Sequence, residues 1–504
     1  MQVELIAITR YLKRGGTPEE LLEHAGRVCY RSEGRGDAGR FLRARIREGH
    51  ESLVEHASAT FEIVGLSRAA SHQLVRHRLA SFSQESQRYC QYGALEPNLA
   101  PQPAPLPEAK GEKRHGHCRF TVTQEQFITH QYQQGVSCDR LAVAYDVHPT
   151  TIRDIVNRNE GSIREMSEAK TLHADTKYFA EIDNPQKAYL LGLIYADGNV
   201  AYRDDKPSHS SIAQHSDWAA WLRRLGALWG GAVISAGREG LARLTIPGKE
   251  AAEHLTKHGV ARAKSHVLTG PVLDDDLISH FIRGYLEGDG YIGLREPRVT
   301  ITSGSPELLK WMLQRTRVAT DKGSLADRGR VFDLNWGGGI CVSSLLNWLY
   351  QGFDFRLSHP AKLERVIRWS EVAENSYNKQ VALWANKFEV VVPPRVQQRP
   401  TTMSLFVEAI ETAAQGYANL RALGIRKEDV RFALPNAAAT RVVMTMNFRE
   451  LLHLFRLRIS PEAQWEIREL CVRMLELVCP HAPNVFGDLR EELRTRHPSF
   501  FECV

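Results

Sequence analysis

The pattern of hydrophobic and polar positions is similar at the two ends of the chain. The run VELIAI near the N terminus and the alternation over residues 57–64 predict strands, and the pattern over Glu19–Tyr30 predicts a helix. Near the other end, apolar residues at helical spacing predict a helix between Ser460–Pro461 and Pro480. Both ends are therefore predicted to be α/β segments with packed cores.

Between these ends the pattern changes. Residues 96–108 hold five prolines and a short basic run, KGEKRHGHCR, follows, which predicts a linker over 91–122. Residues 123–160 then predict a helix-turn-helix, with a stop at Gly135, a start at Pro149 and a cap at Thr150 or Thr151. This module either binds DNA or is a helical hairpin used for packing; a DNA-binding surface would use Thr150, Thr151, Arg153, Asn157 and Arg158.

Composition narrows the class of protein. The chain has 504 residues, 43% of them hydrophobic and 25% charged, which is typical of a globular protein with two to four domains. No stretch is apolar enough to span a membrane, and the charged N-terminal stretch does not resemble a secretion signal, so we expect a cytoplasmic protein. Its eight cysteines are scattered without a CxxC pair, which favours reduced thiols. The formal net charge of +6 permits anionic ligands without requiring them.

A basic segment, RHRLASFSQESQRY, covers residues 76–89. Arg76 and Arg78 are two positions apart and would not share a helix face, whereas an extended loop presents both as a cradle for phosphates. Serine hydroxyls and the Gln84 amide would add donors. From composition alone, a solvated basic loop explains the segment equally well.

The order of residues in this segment carries a resemblance. Arg76, His77, Arg78, Ser81, Ser86, Arg88 and Tyr89 match RHRxxSxxxxSxRY, which resembles the signature of the flavin-dependent thymidylate synthases, the ThyX family. Residues 49–56 and 431–470 resemble the flanking family motifs. Residues 1–90 and 375–504 would together form one family-sized α/β (α+β) domain.

The resemblance implies an activity and its binding residues. Members convert dUMP to dTMP with FAD, methylenetetrahydrofolate and NADPH, bind FAD at subunit junctions of a homotetramer, and need no cysteine nucleophile. The positions that match the FAD site are Ser52, Arg76, His77, Arg78, Gln84, Asn447, Arg449 and His453. Those that match the dUMP site are Gln73, Arg76, Gln84, Glu85, Ser86, Gln87, Arg88, Arg431 and Arg458. Arg458 is the implied catalytic residue, which sits against the uracil ring and favours loss of its N3 proton. His50, His56 and Glu55 can equally be structural.

Two related motifs lie in the middle of the chain, LLGLIYADG at 190–198 and IRGYLEGDG at 282–290. Small residues at helical spacing, Gly192 with Ala196 and Gly284 with Gly288, would let two helices cross closely and bring Asp197 and Asp289 together. Two carboxylates at one point can hold divalent cations that activate water for phosphodiester cleavage, or they can be purely structural.

The two copies, 92 positions apart, resemble the LAGLIDADG homing endonucleases. The resemblance implies an α+β pseudo-dimer of αββαββα repeats over residues 175–374, with Mg²⁺ at Asp197 and Asp289 and double-stranded DNA on the sheets. LARLTIPG and RVTITSG would supply strands of those sheets. Tyr195 replaces the usual acidic residue of the first motif, and no basic residue of the active site is identifiable from the sequence.

Such insertions are often inteins, so protein splicing is an alternative. Cys90, Asn375 and Ser376 supply the residue types that splicing needs. Glu374 stands where a histidine is usual, and residues 91–180 lack the expected β-rich pattern. The favoured prediction is an unspliced synthase with an embedded endonuclease. The alternatives are a spliced precursor, an endonuclease with an inactive host, and a DNA-binding protein in which both sites have decayed.

Overall fold

The structure is a computed structural model. It describes residues 1–502 apart from 14–15, 33–36, 91–94, 96–104, 110–111, 114–117, 160, 165–173, 237–239, 261 and 263. Much of the predicted linker over 91–122 therefore lies outside the described residues, as does Cys503. No helix in the described ranges is long and apolar enough to cross a membrane.

The chain divides into two compact units. Residues 1–97, 383–393 and 410–504 form the first, here called the host unit. Residues 98–382 and 394–409 form the second, here called the inserted unit.

One four-stranded antiparallel sheet organises the host unit. Its strands are β1 (Gln2–Ile8), β2 (Ser58–Ser67), β3 (Ala80–Gln84) and β12 (Ala439–Asn447), in the order β1-β2-β12-β3. The predicted strands at VELIAI and 57–64 are thus confirmed. Because β12 pairs with β2 on one side and with β3 on the other, a strand from beyond residue 400 completes a sheet begun before residue 90.

Helices make up most of the rest of the host unit. They span Pro18–Tyr30, Ala38–Arg47, Arg68–Leu74, Lys427–Val430, Phe448–Arg458, Trp465–Val478 and Pro483–Arg496, with 3-10 segments at Glu51–His56, Arg431–Ala433, Cys479–His481 and Pro498–Phe500. The predicted helix over 19–30 is confirmed and begins with a capping box between Thr17 and Glu20. The predicted C-terminal helix starts only at Trp465, because the Gln464 side chain accepts the free N–H groups of its first turn.

The core of the host unit mixes residues from both ends of the sequence. Alternate residues of β2 and β12 are buried, as expected for strands with one face toward a core. Phe61 from β2, Met444 from β12 and Leu470 from a C-terminal helix belong to the same buried cluster. Neither end of the chain has this core without the other.

The inserted unit begins with three short helices, at Val122–Gln133, Cys138–Ala144 and Pro149–Arg158. Gly135, with φ of 100°, follows the first helix, and Pro149 starts the third, both as predicted. The cap of the third helix differs from the prediction, since the His148 ring accepts the Thr150 N–H and neither threonine acts as the cap. Burial of Ile128, Leu141 and Ile152 gives the three helices a core of their own.

The remainder of the inserted unit contains the same order of elements twice, namely helix, strand, strand, helix, strand, strand, helix. The first set is Pro185–Asp197, β4 (Gly198–Arg203), β5 (Lys206–His215), Ala219–Gly226, β6 (Ala232–Ala236), β7 (Leu241–Ile246) and Lys249–Lys257. The second set is Asp275–Asp289, β8 (Gly290–Ile292), β9 (Arg298–Ser303), Pro306–Arg315, β10 (Ser324–Asp327), β11 (Phe332–Gly337) and Gly339–Leu349. Short 3-10 segments lie at Ser216–Trp218, Lys264–His266 and Thr316–Val318.

Each set forms an antiparallel sheet, ordered β4-β5-β7-β6 and β10-β11-β9-β8. The strands predicted at LARLTI and RVTITS are confirmed as β7 and β9. Both sheets have the same connectivity, since in each the first two strands are neighbours and the second strand pairs with the fourth.

We call the first helix of each set motif helix 1 (Pro185–Asp197) and motif helix 2 (Asp275–Asp289). These two helices pack closely against each other. A Cβ added at Gly192 would overlap the backbone carbonyl of Phe281, and one added at Gly284 would overlap that of Tyr189. The predicted close crossing at small residues is therefore present. It places the C-terminal ends of both helices, and so Asp197 and Asp289, side by side.

The second boundary of the insertion differs from the prediction at 374/375. A continuous helix, Glu371–Lys387, runs through that point, and the inserted unit includes it up to residue 382. The Gln380 amide donates to the carbonyl of Phe353 and its oxygen accepts the N–H of Phe355, which fastens this part of the helix to the inserted unit. Further helices span Pro360–Val366, Pro394–Gln397 and Pro400–Ala422.

Residues 388–394, FEVVVPP, do not form a strand, although their composition is typical of one. In the structure it contributes a single bridge, between Val390 and Ala438. The two prolines that end the segment have no backbone N–H, so a longer ladder cannot form there.

Candidate functional sites

The first candidate site surrounds His77, which is 6% exposed. Arg458 Nε donates a hydrogen bond to His77 Nε2 over 3.2 Å, and His77 Nδ1 lies 3.5 Å from Glu450 Oε1. Burial, and after it the charge of Arg458, lower the pKa of His77. The imidazole is therefore neutral near pH 7 and accepts from the guanidinium.

The sheet explains why residues so far apart in sequence meet here. His77 lies between the helix Arg68–Leu74 and the start of β3, and Arg458 ends the helix that follows β12. Because β3 and β12 are antiparallel neighbours, with Ala80 opposite Met446, the start of one strand lies beside the end of the other. Both segments therefore leave the sheet at the same edge.

The residues predicted for FAD lie around this edge. Arg76 and Arg78 are exposed on the turn before β3, and His453 is exposed with its ring 6.2 Å from that of His77. The 3-10 segment that carries Ser52, which is exposed, packs against the helix Phe448–Arg458.

Two of the predicted FAD residues have other partners. Asn447 Oδ1 accepts the N–H of Glu450 at 2.9 Å and so caps the helix, while Arg449 forms an ion pair with Glu55. Glu55 thus forms a salt bridge, which is the structural role that the sequence left open for it.

The residues predicted for dUMP form a second group further along β3. Gln84 Nε2 donates to Ser71 Oγ at 2.9 Å, and the carbonyl of Ser86 accepts the N–H groups of Tyr89 and Cys90, which closes a turn. The ammonium of Lys427 donates to the Tyr89 carbonyl at 2.9 Å.

This contact matters because Lys427 lies just before Arg431. The segment 84–90 is thereby fastened to the region that precedes β12, although the insertion separates them in sequence. Gln73, Glu85 and Gln87 are half-buried, and Arg88 is exposed. Arg431 Nε donates to the Glu428 carbonyl at 2.9 Å, which fixes its stem near this turn.

His77, Glu450 and His453 also bring three potential metal-binding atoms within 4.8 Å of one another. The Arg458 guanidinium, however, already occupies His77 Nε2 and would repel a cation. We therefore assign no metal to this cluster.

The second candidate site lies at the ends of the two motif helices. Burial, and after it the charge of Asp289, raise the pKa of Asp197 to about 6. Burial likewise raises the pKa of Asp289. Gln214 Nε2 donates to Asp197 Oδ2 over 2.5 Å. Two carboxylates are thus held together in a partly dry environment, where a divalent cation would relieve their repulsion.

Two lysines that sequence analysis missed belong to this site. Lys264 Nζ donates to the carbonyls of residues 194, 195 and 196 at 2.6, 2.5 and 2.7 Å, and Lys362 Nζ donates to the carbonyl of Gly290. Burial lowers the pKa of Lys264 to about 8 and also lowers that of Lys362. Both ammonium groups act on Asp197 and Asp289.

A signal for these lysines exists in the sequence. Lys264 follows Asp197 by 67 positions and Lys362 follows Asp289 by 73, so each comes shortly after the last helix of its set. Tyr195, by contrast, is a core residue whose hydroxyl donates to the His258 carbonyl at 2.6 Å. It takes no part in the site.

The residues considered for splicing are placed as follows. Cys90 is half-buried, and burial together with Glu85 raises the pKa of its thiol. Asn375 and Ser376 lie inside the helix Glu371–Lys387, where Ser376 Oγ accepts from the Gln380 amide at 3.0 Å. Between β3 and motif helix 1, the described residues contain helices and no strand.

Comparison with protein families identifies the host. The model of the family described as "Thymidylate synthase complementing protein" matches residues 10–174 and 349–484, which is more than half of the chain. The chain belongs to this family. The family resemblance predicted from the RHRxxSxxxxSxRY segment is thereby confirmed, and the match is split around the middle of the chain.

Individual relatives in this family are flavin-dependent thymidylate synthases. That of Geobacter sulfurreducens is 38% identical over 138 residues, covering 27% of this chain and 58% of the relative. That of Clostridium tetani is 31% identical over 152 residues, covering 27% of this chain and 59% of the relative. The chain thus spans somewhat less than two thirds of the length of these curated relatives.

Solved structures give two groups of similar chains. ThyX of Helicobacter pylori, complexed with FAD and dUMP, has 11% identity and a TM-score of 0.33 over 97% of this chain and 99% of that chain. A LAGLIDADG meganuclease bound to uncleaved DNA has 14% identity and a TM-score of 0.28 over 42% of this chain and 100% of that chain. Overlays at such TM-scores carry no weight beside the strand orders and contacts given above.

Proposed function

We propose that the chain is a flavin-dependent thymidylate synthase that converts dUMP to dTMP. The observation that carries the proposal is the Arg458–His77 contact, because it joins the family's signature segment to the C-terminal substrate region within one site. Methylenetetrahydrofolate and NADPH are the proposed co-substrates. The cytoplasm, where free thiols persist, is the proposed compartment.

Arg458 is the proposed catalytic residue. Its Nε is bonded to His77, while no described residue bonds its terminal nitrogens, which remain available to a substrate. A guanidinium keeps its proton at any physiological pH. Held against a uracil ring, it stabilises the negative charge that develops when N3 loses its proton, and C5 becomes more nucleophilic.

The residues at the sheet edge fit FAD. Arg76 and Arg78 are exposed, and no described residue forms an ion pair with either, so both guanidinium groups are free to bind a pyrophosphate. Ser52, Gln84, Asn447, Arg449 and His453 are proposed as further FAD contacts. When bound, reduced flavin supplies the hydride, and the protein contributes binding and orientation.

The proposed dUMP contacts are Gln73, Arg76, Gln84, Glu85, Ser86, Gln87, Arg88, Arg431 and Arg458. Exposure of Arg76 and Arg78 also suits a site completed by neighbouring subunits, and we propose a homotetramer. The test of the function is dTMP formation by the purified chain. Omission of NADPH or of methylenetetrahydrofolate should abolish the product; product formation without methylenetetrahydrofolate would contradict the proposal.

A second function is proposed for the inserted unit, namely Mg²⁺-dependent cleavage of double-stranded DNA. The observation that favours it is the pair Asp197 and Asp289, held between Lys264 and Lys362. Carboxylate oxygens are hard ligands of the kind Mg²⁺ prefers, so the residues fit the ion. When bound, the ion activates water and stabilises the leaving oxygen.

The protein's own groups have separate roles in this proposal. Asp197 and Asp289 hold the metal, and Gln214 orients the Asp197 carboxylate. Lys264 and Lys362 neutralise charge that builds up near the scissile phosphate. The test is nicking of a DNA that carries the uninterrupted host sequence, with and without Mg²⁺; cleavage that survives removal of the metal would exclude this mechanism.

The three-helix module at 123–160 is proposed to add DNA contacts to this activity. Thr150, Thr151, Arg153 and Asn157 lie on its third helix, while Arg158 forms an ion pair with the buried Glu125. We further propose that the insertion is not spliced out. Support comes from the helical setting of Asn375 and from the raised pKa of the Cys90 thiol, which leaves less of the nucleophilic thiolate at neutral pH.

A further inference from the structure

Three side chains near the sheet edge form a line of contacts. Glu450 Oε1 lies 3.5 Å from His77 Nδ1, and His77 Nε2 accepts from Arg458 Nε over 3.2 Å. Two of the three are well shielded, since His77 is buried and the Glu450 side chain is 14% exposed. A hydrogen bond to a charged group in such surroundings is stronger than one in water.

The direction of these contacts fixes the protonation state of His77. Arginine has donors only, so His77 Nε2 must present its lone pair to Arg458. The ring proton then lies on Nδ1, where Glu450 is the acceptor. Glu450 itself is held in the first turn of the helix Phe448–Arg458, where its N–H donates to Asn447 Oδ1.

The Arg458 guanidinium is thereby fixed by one edge. Its Nε is committed to His77, and rotation about the last torsion of the side chain would break that bond. The charge of Arg458 acts on the fully buried Cys471, whose thiol is nevertheless neutral because burial raises its pKa. The two terminal nitrogens lie in the same plane as Nε and have no hydrogen-bond partner among the described residues.

We infer that His77 is a positioning residue for Arg458, and that Glu450 fixes the tautomer of His77 that this role requires. The inference rests on the proposed synthase function and goes beyond the FAD contact that the family resemblance implies for His77. In this role His77 determines how tightly dUMP binds, because it holds the guanidinium at the angle that meets the pyrimidine.

The other charged groups near His77 are consistent with this role. His453, on the same helix as Glu450, acts on His77 only weakly and is exposed. Arg449 and Arg456, also on that helix, are paired with Glu55 and Glu51. Arg458 and Glu450 are therefore the two charges that determine the state of His77.

The test uses the full chain loaded with FAD, and measures dUMP affinity by titration calorimetry together with flavin content and thermal unfolding. His77→Leu fills the space without an acceptor, and we expect the dUMP affinity of the flavin-loaded fraction to fall roughly ten- to a hundredfold. His77→Gln keeps an acceptor and should recover most of the affinity. His72→Gln, an exposed histidine on the preceding helix, is the matched control and should bind dUMP normally.

A pH series separates positioning from packing. In the wild type, dUMP affinity should fall as the pH drops through the lowered pKa of His77, since the protonated ring no longer accepts from Arg458. In His77→Gln this acidic decline should disappear. An unchanged decline in His77→Gln would overturn the inference.

The outcomes distinguish the inference from the function on which it rests. Wild-type dUMP affinity in His77→Leu, or equal loss of flavin in both His77 variants, overturns the positioning role alone. If His77→Leu does not fold, Glu450→Ala tests the same role from the other side and should weaken dUMP binding severalfold; unchanged affinity there also overturns it. A wild-type chain that binds neither flavin nor dUMP defeats the proposed synthase and the inference together.

Discussion

Arg458 donates a hydrogen bond to His77 although 381 positions separate the two residues. The contact joins the turn before β3 to the end of a helix that follows β12, and the whole inserted unit lies between them in sequence. A divided sequence therefore builds one undivided edge of a sheet. The insertion interrupts the sequence between these two residues without separating them in the host unit.

Replacement of Arg458 should slow dTMP formation strongly without unfolding the protein. Loss of a preorganised cationic group typically costs a hundred- to a thousandfold in turnover, and we expect about that for Arg458→Ala and a large loss for Arg458→Lys, which lacks the planar fork. The matched control is Arg456→Ala. It removes an exposed ion pair with Glu51, which is worth about 1 kcal/mol or less, and turnover should stay near wild type.

A methyl group at the helix crossing should destabilise the inserted unit. Gly284→Ala would place a Cβ against the carbonyl of Tyr189, and overpacking of this kind costs on the order of 3 kcal/mol. We expect a lower unfolding temperature and loss of DNA nicking. Gly339→Ala, in the same unit and with nothing near its Cβ, should unfold like the wild type. A stable, active Gly284→Ala variant would contradict the crossing described here.

DNA nicking should depend on the ionisation of Asp197 and Asp289. Their raised pKa values, about 6 for Asp197, mean that protons compete with Mg²⁺ below that pH, so the nicking rate should rise between about pH 5 and pH 7. Asp197→Asn and Asp289→Asn should each abolish nicking while the chain still binds DNA. A rate that is flat over this range would argue against metal binding by these carboxylates.

The raised pKa of Asp197 also predicts how the free energy of unfolding changes with pH. A raised pKa in the folded state means that the metal-free fold loses stability as the pH rises from about 4 to about 6, where Asp197 ionises only in part while the unfolded chain ionises fully. Asp197→Asn removes this loss, so at pH 7 and without metal it should be more stable than the wild type, by on the order of 1 kcal/mol. Thermal unfolding in a chelator measures this, and a destabilised variant would count against it.

The insertion should remain in the purified chain. Asn375 and Ser376 lie within a helix whose backbone is hydrogen-bonded, so the peptide bond that splicing would cleave is held in place. Intact-mass measurement should give 56.9 kDa, the same for the wild type and for Cys90→Ala apart from the substitution itself, since alanine has no nucleophile. A smaller ligated product in the wild type that is missing from Cys90→Ala would show splicing.

Local sequence signals predicted much of the host. The strand at 2–8 follows from the run VELIAI, the strand at 58–67 from alternation, and the helix over 18–30 from its pattern of apolar and polar residues. The glycines of the motif helices also predicted that these helices cross closely, because few other residues allow backbone contact between two helices. These features depend on residues that are near one another in sequence.

Features set by tertiary contacts escaped prediction. Lys264 and Lys362 reach the aspartate site because the fold brings them to the C-terminal ends of the two motif helices, where each donates to backbone carbonyls. The boundary between insertion and host was predicted at 374/375 because the composition of residues 375–382 resembles that of the host. In the structure, Gln380 donates a hydrogen bond to the Phe353 carbonyl of the inserted unit. The Glu450–His77–Arg458 line required the pairing of β3 with β12, which no local pattern encodes.

The most direct test of one divided synthase site is an absorbance titration of the intact 56.9 kDa chain with dUMP. We predict a yellow protein whose flavin spectrum shifts on addition of dUMP, with the shift lost in Arg458→Ala. A colourless chain of full mass that neither takes up FAD nor binds dUMP would contradict the account.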